Sequence, residues 1–531
     1  MTNLAGTATL VRLILRRDRI RLPVWLASLG GVAAMSAAAT VPLYPTVESR
    51  VVAAEALNSQ ASLVALYGRI YDPTSVGSLA LVKLGGFGAV MVALLAIFTV
   101  VRHTRAEEEA GRLELVRSTT VGRHASLTAA LLVAAATDVV LAVVTAVALV
   151  AAGLPVEGSI AFGSAWAGVG IAFAAIAGIA VQLPRSARAA TGIATATLGA
   201  VYLLRAVGDA GSETGTGWLT WLSPIGWGQQ FRPYAGNRWW VLLITLGFAA
   251  AASTGAYLLA SRRDTGAGLL ADRPGRARAK PSLRGPLALA WRLQRSTFLA
   301  WAVAFVVLGL VFGNLASSVG SFLSSPQALL WMAKLGGQKG LVDMFLAAEL
   351  SFVGVFASAY GIQAASRLHS EESTGLAAPV LATATSRSAW AAGHTAIALA
   401  GTTVLMVLAG LSAGLAHGVQ SHDMGEVGRV LAGALVQLPA VWILTGLVVA
   451  AFGMAPRTVS LGWVALAVFI FLGEFGALLE LPQWAIELSP FAHVPKLPGA
   501  PVHVTPLALL SAASVLLVAA GLTGFRRRDL A

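Results

Sequence analysis

Long apolar runs, separated by short polar segments, recur along the whole chain. An α-helix needs about 20 mostly apolar residues to cross the roughly 30 Å hydrocarbon core of a bilayer. Runs of this length predict twelve transmembrane helices, at residues 22–43, 80–101, 125–151, 159–182, 189–206, 239–260, 298–316, 346–365, 391–415, 428–453, 459–478 and 505–525. The pattern therefore predicts an all-α integral membrane protein.

The polar segments indicate an internal repeat. The first acidic loop, Arg105 to Arg123, reads RAEEEAGRLELVRSTTVGR, and the second acidic loop, His369 to Arg387, reads HSEESTGLAAPVLATATSR. Both contain an acidic pair, a glycine and a final arginine: Glu107, Glu108, Gly111 and Arg123 in the first, and Glu371, Glu372, Gly375 and Arg387 in the second. Because an even number of spans per half preserves orientation, we predict two tandem, parallel pseudo-symmetric six-helix bundles.

The ends of the two halves match as well. Arg262, Arg263 and Asp264 after the sixth span recur as Arg527, Arg528 and Asp529 after the twelfth. We therefore predict a first transmembrane half at residues 1–260, a cytoplasmic linker at 261–285 and a second half at 286–531. The linker is rich in Arg, Gly and Pro, which predicts an unstructured tether.

Composition and charge narrow the class further. Hydrophobic residues make up 57% of the chain and charged residues only 11%, and the absence of cysteine excludes disulfides and thiolate metal sites. The net charge of +13 does not indicate nucleic-acid binding, because most Lys and Arg residues lie on one side of the predicted spans. This asymmetry predicts that both termini are cytoplasmic. The Arg- and Ala-rich composition is typical of a bacterial protein, here in the plasma membrane among lipids.

Several segments outside the spans also have recognisable patterns. Residues 8–22 carry apolar and basic positions on opposite faces at helical spacing, which predicts an interfacial helix, with a counterpart from Leu287. Basic sequence that only flanks a span is the alternative interpretation. The long outer loops at 44–79 and 314–345 are expected to form short capping helices. The Trp-rich segment 216–234 predicts a bent interfacial or re-entrant element with its indoles at headgroup depth.

The arrangement around the acidic pair resembles the first cytoplasmic loop of ABC-2-type transporter permeases. The Pro184-Arg185 turn between spans four and five, and Ser223-Pro224 before span six, fit the same family. With two permeases in one chain, the sequence most resembles actinobacterial antibiotic-exporter permeases of the tetronasin-resistance type. In that family the loop is a short coupling helix docking on an ATPase subunit. The resemblance thus implies ATPase-coupling roles for Glu107, Glu108, Glu109, Gly111, Arg112, Glu114, Glu371, Glu372 and Gly375.

The charges of the first acidic loop favour docking on their own account. Its glutamates are interspersed with arginines, so ion pairs can form both within the loop and with a partner's surface. A solvated helix held by local salt bridges is the alternative interpretation. The second loop has Ser373 and Ala378 in place of Glu109 and Glu114, and adds Pro379. Its contact is expected to be weaker or differently shaped.

The chain contains no G-x-x-x-x-G-K-[ST] phosphate loop, so we predict that it is not an enzyme and binds no cofactor itself. ATP and magnesium are expected in a separate ATPase, with two copies docking on the two acidic loops. The resemblance implies export, by alternating access, of hydrophobic or amphiphilic compounds such as antibiotics, drugs or lipids. It also implies a pathway between spans two and five of one half and eight and eleven of the other. Candidate lining residues there are Phe87, Met91, Phe98, Phe352, Phe356 and Phe469, unless these aromatic and apolar side chains face lipid or pack between helices. Polar candidates for the pathway are Asp138 in span three and Gln363.

A proton-coupled secondary drug transporter of the major facilitator type is the alternative, because it also has two parallel six-helix halves. Such a transporter needs an ionisable group inside the membrane, and Asp138 lies about halfway along the third span. Asp138 would contact substrate or a proton in a central cavity, unless it only hydrogen-bonds a neighbouring helix. The facilitator signature Gly-x-x-x-Asp-Arg-x-Gly-Arg-Arg is absent after span two. A membrane-bound enzyme is disfavoured because the eight histidines are dispersed.

Overall fold

The apolar runs fold as helices. The computed structural model describes residues 3–118, 120–212, 217–264, 266–270, 283, 285–319, 337–475 and 482–529. Among these residues, twelve helical stretches are long and apolar enough to cross a membrane, which confirms the prediction of an all-α membrane protein. The chain divides into two units, Met1–Gly275 and Arg276–Ala531, and each unit has its own apolar core.

The first unit contains six long helices and the shorter helices that connect them. They are α1 (Thr7–Arg17), α2 (Arg21–Leu43), α3 (Val47–Asn58), α4 (Ala61–Tyr67), α5 (Val76–His103), α6 (Arg105–Glu109), α7 (Arg112–Arg117), α8 (Ala125–Ala151), α9 (Val156–Ala180), α10 (Ala187–Ala210), α11 (Pro224–Gln230) and α12 (Trp240–Ser261). A 3-10 turn at Thr220–Leu222 precedes α11.

The second unit repeats this order with some helices merged and others divided. Its helices are α13 (Pro286–Val319), α14 (Gly337–Ser373), α15 (Ala377–Leu381), α16 (Arg387–Ser421), α17 (Glu426–Leu435), α18 (Leu438–Met454), α19 (Leu461–Phe475), α20 (Gln483–Ile486) and α21 (Val504–Arg527). Two 3-10 turns lie at Pro456–Thr458 and Pro490–His493. Several helices extend beyond the predicted apolar windows, because helical hydrogen bonding continues into the polar flanks.

Small residues bring the helices of each unit close together. In the first unit, Gly163 of α9 packs directly on the Ala142 carbonyl of α8. In the second unit, a Cβ added at Gly309 of α13 would lie 2.5 Å from the Ala409 oxygen of α16. Close backbone approach of this kind favours helix association in lipid through van der Waals packing, since there is no hydrophobic driving force between helices there.

A separate helix forms near the N-terminus as predicted, but its predicted counterpart does not, and the interfacial position stays a prediction. Helix α1 ends at its C-cap residue Asp18, whose carboxylate accepts a hydrogen bond from His103 Nε2 at 2.6 Å. The matching position in the second half is Gln294, which lies within the continuous helix α13 and contacts His394 Nδ1 at 3.1 Å. The prediction of a separate helix from Leu287 was wrong. Glutamine is the better helix former, which favours continuation there.

The predictions for the two long outer loops and for the Trp-rich segment were met in part. Helices α3 and α4 occupy the first long loop as expected, whereas residues 320–336 of the second lie outside the described residues. The Trp-rich segment forms the 3-10 turn and α11. Trp218 is 73% exposed, but Trp227 is buried and donates to the Trp221 carbonyl at 2.6 Å. Trp227 therefore packs within this segment, and the depth of the indoles in the membrane stays a prediction.

The first part of the linker is structured, contrary to the prediction of a tether throughout. The backbone N–H groups of Leu269 and Leu270 donate to the carbonyls of Gln182 and Leu183, at 3.1 and 2.8 Å. These bonds fix the chain after α12 against the turn that follows α9. Residues 271–282 lie outside the described part of the chain.

Candidate functional site at the two acidic loops

Each acidic loop turns sharply at its glycine. Gly111 has φ +70° and Gly375 has φ +73°, in the left-handed region. The Gly111 N–H donates to the Glu108 carbonyl at 3.0 Å, and the Gly375 N–H to the Glu372 carbonyl at 2.9 Å. Open space surrounds both positions, so glycine is needed for the backbone conformation and not for room.

Glu108 is held by the residues that follow the sixth span. Arg263 donates through both terminal nitrogens, Nη1 to Oε1 at 2.7 Å and Nη2 to Oε2 at 2.8 Å. The Gly266 N–H adds a third bond, to Oε1, at 2.6 Å. Glu108 is only 7% exposed. This carboxylate therefore attaches the first acidic loop to the end of α12 and is turned away from solvent.

The second acidic loop is attached in the same way. Arg528, directly after α21, donates Nη1 to Glu372 Oε1 at 2.7 Å and Nη2 to Oε2 at 2.5 Å. Glu372 is also 7% exposed. A paired, charge-assisted contact of this geometry is among the stronger hydrogen-bonded interactions in proteins. We call the Arg263–Glu108 and Arg528–Glu372 pairs the loop clamps.

A second arginine strengthens each loop clamp from the far end of the acidic loop. Arg123 Nη2 donates to the carbonyls of Ala260, Ser261 and Arg263 at 3.3, 2.9 and 3.1 Å. In the second unit, Arg387 Nη1 donates to the Arg528 carbonyl at 2.8 Å. Both ends of each acidic loop thus hold the end of the last span of the same unit.

The first loop is also fixed to the turn after α9. Arg105 is 1% exposed, and its Nε donates to the Val181 carbonyl at 2.9 Å. Its Nη1 reaches the Ala267 carbonyl and Glu108, both at 3.1 Å. Because Ala267 belongs to the linker, one buried guanidinium connects the loop, the α9 turn and the linker.

The remaining glutamates at the start of the two loops, Glu107, Glu109 and Glu371, also contact residues of their own unit. Glu107 contacts Arg17 of α1 and Arg112, each at 2.9 Å, and the hydrogen bond from Arg112 to Glu107 raises the pKa of this exposed guanidinium. Glu109 accepts from the Ala187 N–H at the start of α10, at 2.8 Å. In the second loop, Glu371 accepts from Arg367 Nε at 2.8 Å, and His394 Nε2 lies 3.5 Å away.

The exposed residues differ between the two loops. The first presents Arg112, Glu114 and Leu115, and Leu115 is 74% exposed. A groove beside it has an empty volume of about 1320 Å³, solvent included, and is lined by Glu109, Glu114, Arg185 and other residues of both charges. The second presents Leu376, 59% exposed, with Ala378 and Pro379. The first surface is therefore charged around one leucine, and the second is largely apolar.

The candidate pathway residues lie in dissimilar environments. Phe87 and Met91 of α5 and Phe352 and Phe356 of α14 are 37–45% exposed. Phe98 and Phe469 pack against the cores of their own units. Gln363 accepts a hydrogen bond from Trp301 Nε1 at 2.9 Å. These positions are compatible with contact to lipid or to a partner surface and do not form one lined cavity within either unit as described.

Asp138 lies inside the first unit and not on a cavity wall. It is 0% exposed, and its carboxyl packs directly on Gly170 of α9. Neither carboxyl oxygen has a hydrogen-bond partner among the described residues. The expectation that Asp138 faces a cavity is thus not met in this conformation, and neither is the alternative of a hydrogen bond to a neighbouring helix.

The sequence-based site omitted the arginines of the loop clamps. Arg263 and Arg528 were visible only as matched ends of the two halves, and Arg123 and Arg387 only as matched ends of the acidic loops. Their joint recurrence at nearly the same offset was the available signal. The structure shows in addition that the arginine at the end of each acidic loop contacts the arginine after the last span of the same unit.

Comparison with known proteins identifies the class. The family model "Multidrug efflux system permease Rv1217c, C-terminal domain" matches residues 8–260 and 283–526. The multidrug efflux system permease protein Rv1217c of Mycobacterium tuberculosis (strain ATCC 25618 / H37Rv) is 43% identical over 528 residues, which cover 99% of this chain and 95% of that protein. The prediction of a membrane permease is confirmed, while the finer ABC-2 assignment stays a prediction. With matches across both units and nearly the full length, the chain belongs to the family of multidrug efflux system permeases.

Proposed function

We propose that this chain is the permease of an ATP-driven exporter and that each acidic loop docks one copy of a separate ABC ATPase. The observation that carries the proposal is the duplicated loop clamp, because in each unit it connects the acidic loop to the end of the last span. The absence of a phosphate-binding motif from the sequence supports an external source of energy. ATP and magnesium would be bound by the partner.

The contacts around the first loop suggest how force would reach the spans. A partner bound at Leu115 and in the adjacent groove would push on α6 and α7. Glu108 and Arg105 are buried and multiply bonded, so the loop would move together with the end of α12 and the turn after α9. In this mechanism the carboxylates of the acidic pair act as positioning residues, while the exposed residues contact the ATPase.

The proposed cargo is a hydrophobic or amphiphilic drug or antibiotic, moved outwards. The basis is the relative, which is described as a multidrug efflux system permease. The asymmetric distribution of Lys and Arg favours both acidic loops and both termini on the cytoplasmic side, and the Arg- and Ala-rich composition favours a bacterial plasma membrane.

Docking can be tested by placing a charge at the exposed leucine of each loop. We expect Leu115→Asp and Leu376→Asp each to halve the amount of ATPase that co-purifies in mild detergent, and the double variant to lose it. Burial of one leucine contributes roughly 1.5–3 kcal/mol, so each contact should weaken about tenfold or more. Val52→Asp, at a 63% exposed position on α3, is the matched control and should retain both copies. If no ATPase accompanies the wild-type chain from native membranes, the proposal fails.

A second test separates this mechanism from proton-coupled transport. The alternative of a major facilitator type transporter depends on the intramembrane carboxyl of Asp138. This carboxyl is buried and packs on Gly170. We expect Asp138→Asn, which keeps the shape and removes the titratable group, to export at the wild-type rate in proteoliposomes supplied with the ATPase. Loss of transport without loss of the folded protein would instead favour proton coupling.

A further inference from the structure

A cleft at the opposite end of the first unit from the acidic loop has the composition of a ligand site. It lies between the α4–α5 connection, helices α5 and α9 and the segment after α11, with an empty volume of about 600 Å³, solvent included. Leu81 and Ala89 of α5 and Phe162 and Trp166 of α9 supply an apolar wall. Ligand sites commonly combine such walls with a few well-placed polar groups.

One edge of the cleft is a strained but firmly held segment. Arg232, Tyr234 and Asn237 all have positive φ, at 54°, 60° and 32°, although none is glycine. The Tyr234 hydroxyl pairs with Ser159 at 2.8 Å, and Asn237 donates to Glu157 at 2.9 Å. Non-glycine residues keep such conformations only where the surroundings enforce them, and they concentrate at ligand-binding positions.

The polar groups of the cleft have hydrogen-bonding capacity that the protein does not use. The Arg232 guanidinium stacks on the Tyr71 ring at 4.0 Å, and its Nε is buried without a partner among the described residues. The Ser78 hydroxyl is also buried without a hydrogen-bond partner among the described residues. Arg232 has no ion pair with a carboxylate in the described part of the chain, and burial, with the nearby charge of Arg238, lowers its pKa. A half-buried cation whose buried Nε donor is unused favours an anion.

We propose that this cleft binds the acidic head of an anionic amphiphile, a carboxylate or phosphate joined to an apolar body. The head would accept hydrogen bonds from Arg232 and Ser78, and the apolar body would lie along Phe162 and Trp166. Arg69, which also lines the cleft, adds positive charge. This site goes beyond the proposed function, since it does not depend on the ATPase. The same chemistry is offered by acidic cargo and by the headgroup of an anionic phospholipid.

The test uses the full-length protein in neutral phosphatidylcholine nanodiscs, with dodecanoate and its methyl ester as probes and calorimetry as the readout. We expect dodecanoate to bind wild-type protein and Arg232→Gln to weaken it about tenfold or more, as loss of a charged hydrogen bond predicts. Arg238→Gln, at a neighbouring arginine outside the cleft, should weaken binding far less than Arg232→Gln, and Arg232→Lys should lie between wild type and Arg232→Gln. Equal binding of acid and ester, or no effect of Arg232→Gln, would overturn the proposal.

The source of the ligand follows from competition in the same system. If phosphatidylglycerol in the nanodisc prevents dodecanoate binding, the site belongs to a lipid headgroup. If it does not, the site belongs to acidic cargo. Loss of ATPase co-purification alone would refute the proposed function and leave this binding result unchanged, so the two proposals fail separately.

Discussion

Removing the guanidinium of Arg263 should uncouple ATP hydrolysis from transport. In Arg263→Ala the Glu108 carboxylate stays buried but loses two of its hydrogen bonds, at 2.7 and 2.8 Å. Breaking one side of a buried pair costs about 3–5 kcal/mol. At about 1.4 kcal/mol per factor of ten, the population of attached loops should fall on the order of a hundredfold or more. We expect export to fall to near background while the ATPase still binds Leu115.

Three measurements isolate this effect. Export and ATP turnover are followed in the same proteoliposomes, and the amount of bound ATPase is measured by co-purification. Arg262→Ala is the matched control, because Arg262 is the adjacent, exposed arginine, and it should export normally. Wild-type coupling in Arg263→Ala would show that the first loop clamp does not transmit force.

A double-mutant cycle tests whether the loss of export in Arg263→Ala comes from breaking the pair with Glu108. Replacing both partners, in Glu108→Gln with Arg263→Gln, removes the buried carboxylate that has lost Arg263 and should be less harmful than the sum of the single changes. Arg105 limits this recovery, since it also contacts Glu108, at 3.1 Å. Strict additivity would indicate that the two side chains act independently.

The sequence allowed the spans and the repeat to be predicted because both depend on local or periodic signals. A long apolar run is enough to predict a span, because its length and composition match the hydrocarbon core. The recurrence of Gly111 as Gly375 indicates the repeat, and both glycines have positive φ in the structure. The roles of the glutamates were harder to predict. A carboxylate at Glu108 looks the same in a sequence whether it faces solvent or accepts bonds from Arg263, more than 150 residues away in the chain. Which side chain the Glu108 carboxylate contacts depends on the tertiary structure.

The break between α1 and α2 illustrates the same limit. Residues 8–22 and the segment from Leu287 have similar patterns, yet only the first is interrupted. The difference lies in one side chain: Asp18 binds His103 where the helix ends, and Gln294 remains inside α13. Hydrophobic periodicity is insensitive to such a substitution, since both residues are polar.

The second loop clamp should be as sensitive as the first, and more selective for arginine. Besides its two bonds to Glu372, the Arg528 guanidinium lies 5.1 Å from the ring centroids of both Phe452 and Phe525. A planar guanidinium can donate to both carboxylate oxygens and stack on aromatic rings at once, whereas a lysine ammonium cannot. We therefore expect Arg528→Lys to recover little of the export lost in Arg528→Ala.

The expected loss in Arg528→Ala is again near-complete export failure, because Glu372 is 7% exposed and the cost of breaking a buried pair is about 3–5 kcal/mol. Arg527→Ala, at the exposed neighbouring arginine, should export normally. Thermal unfolding followed in the same detergent should show a lower midpoint for Arg528→Ala than for Arg527→Ala, since the aromatic contacts with the core end of α21 are lost as well. If Arg528→Lys exports like wild type, a single positive charge suffices, and the second loop clamp needs neither the paired hydrogen bonds nor the stacking.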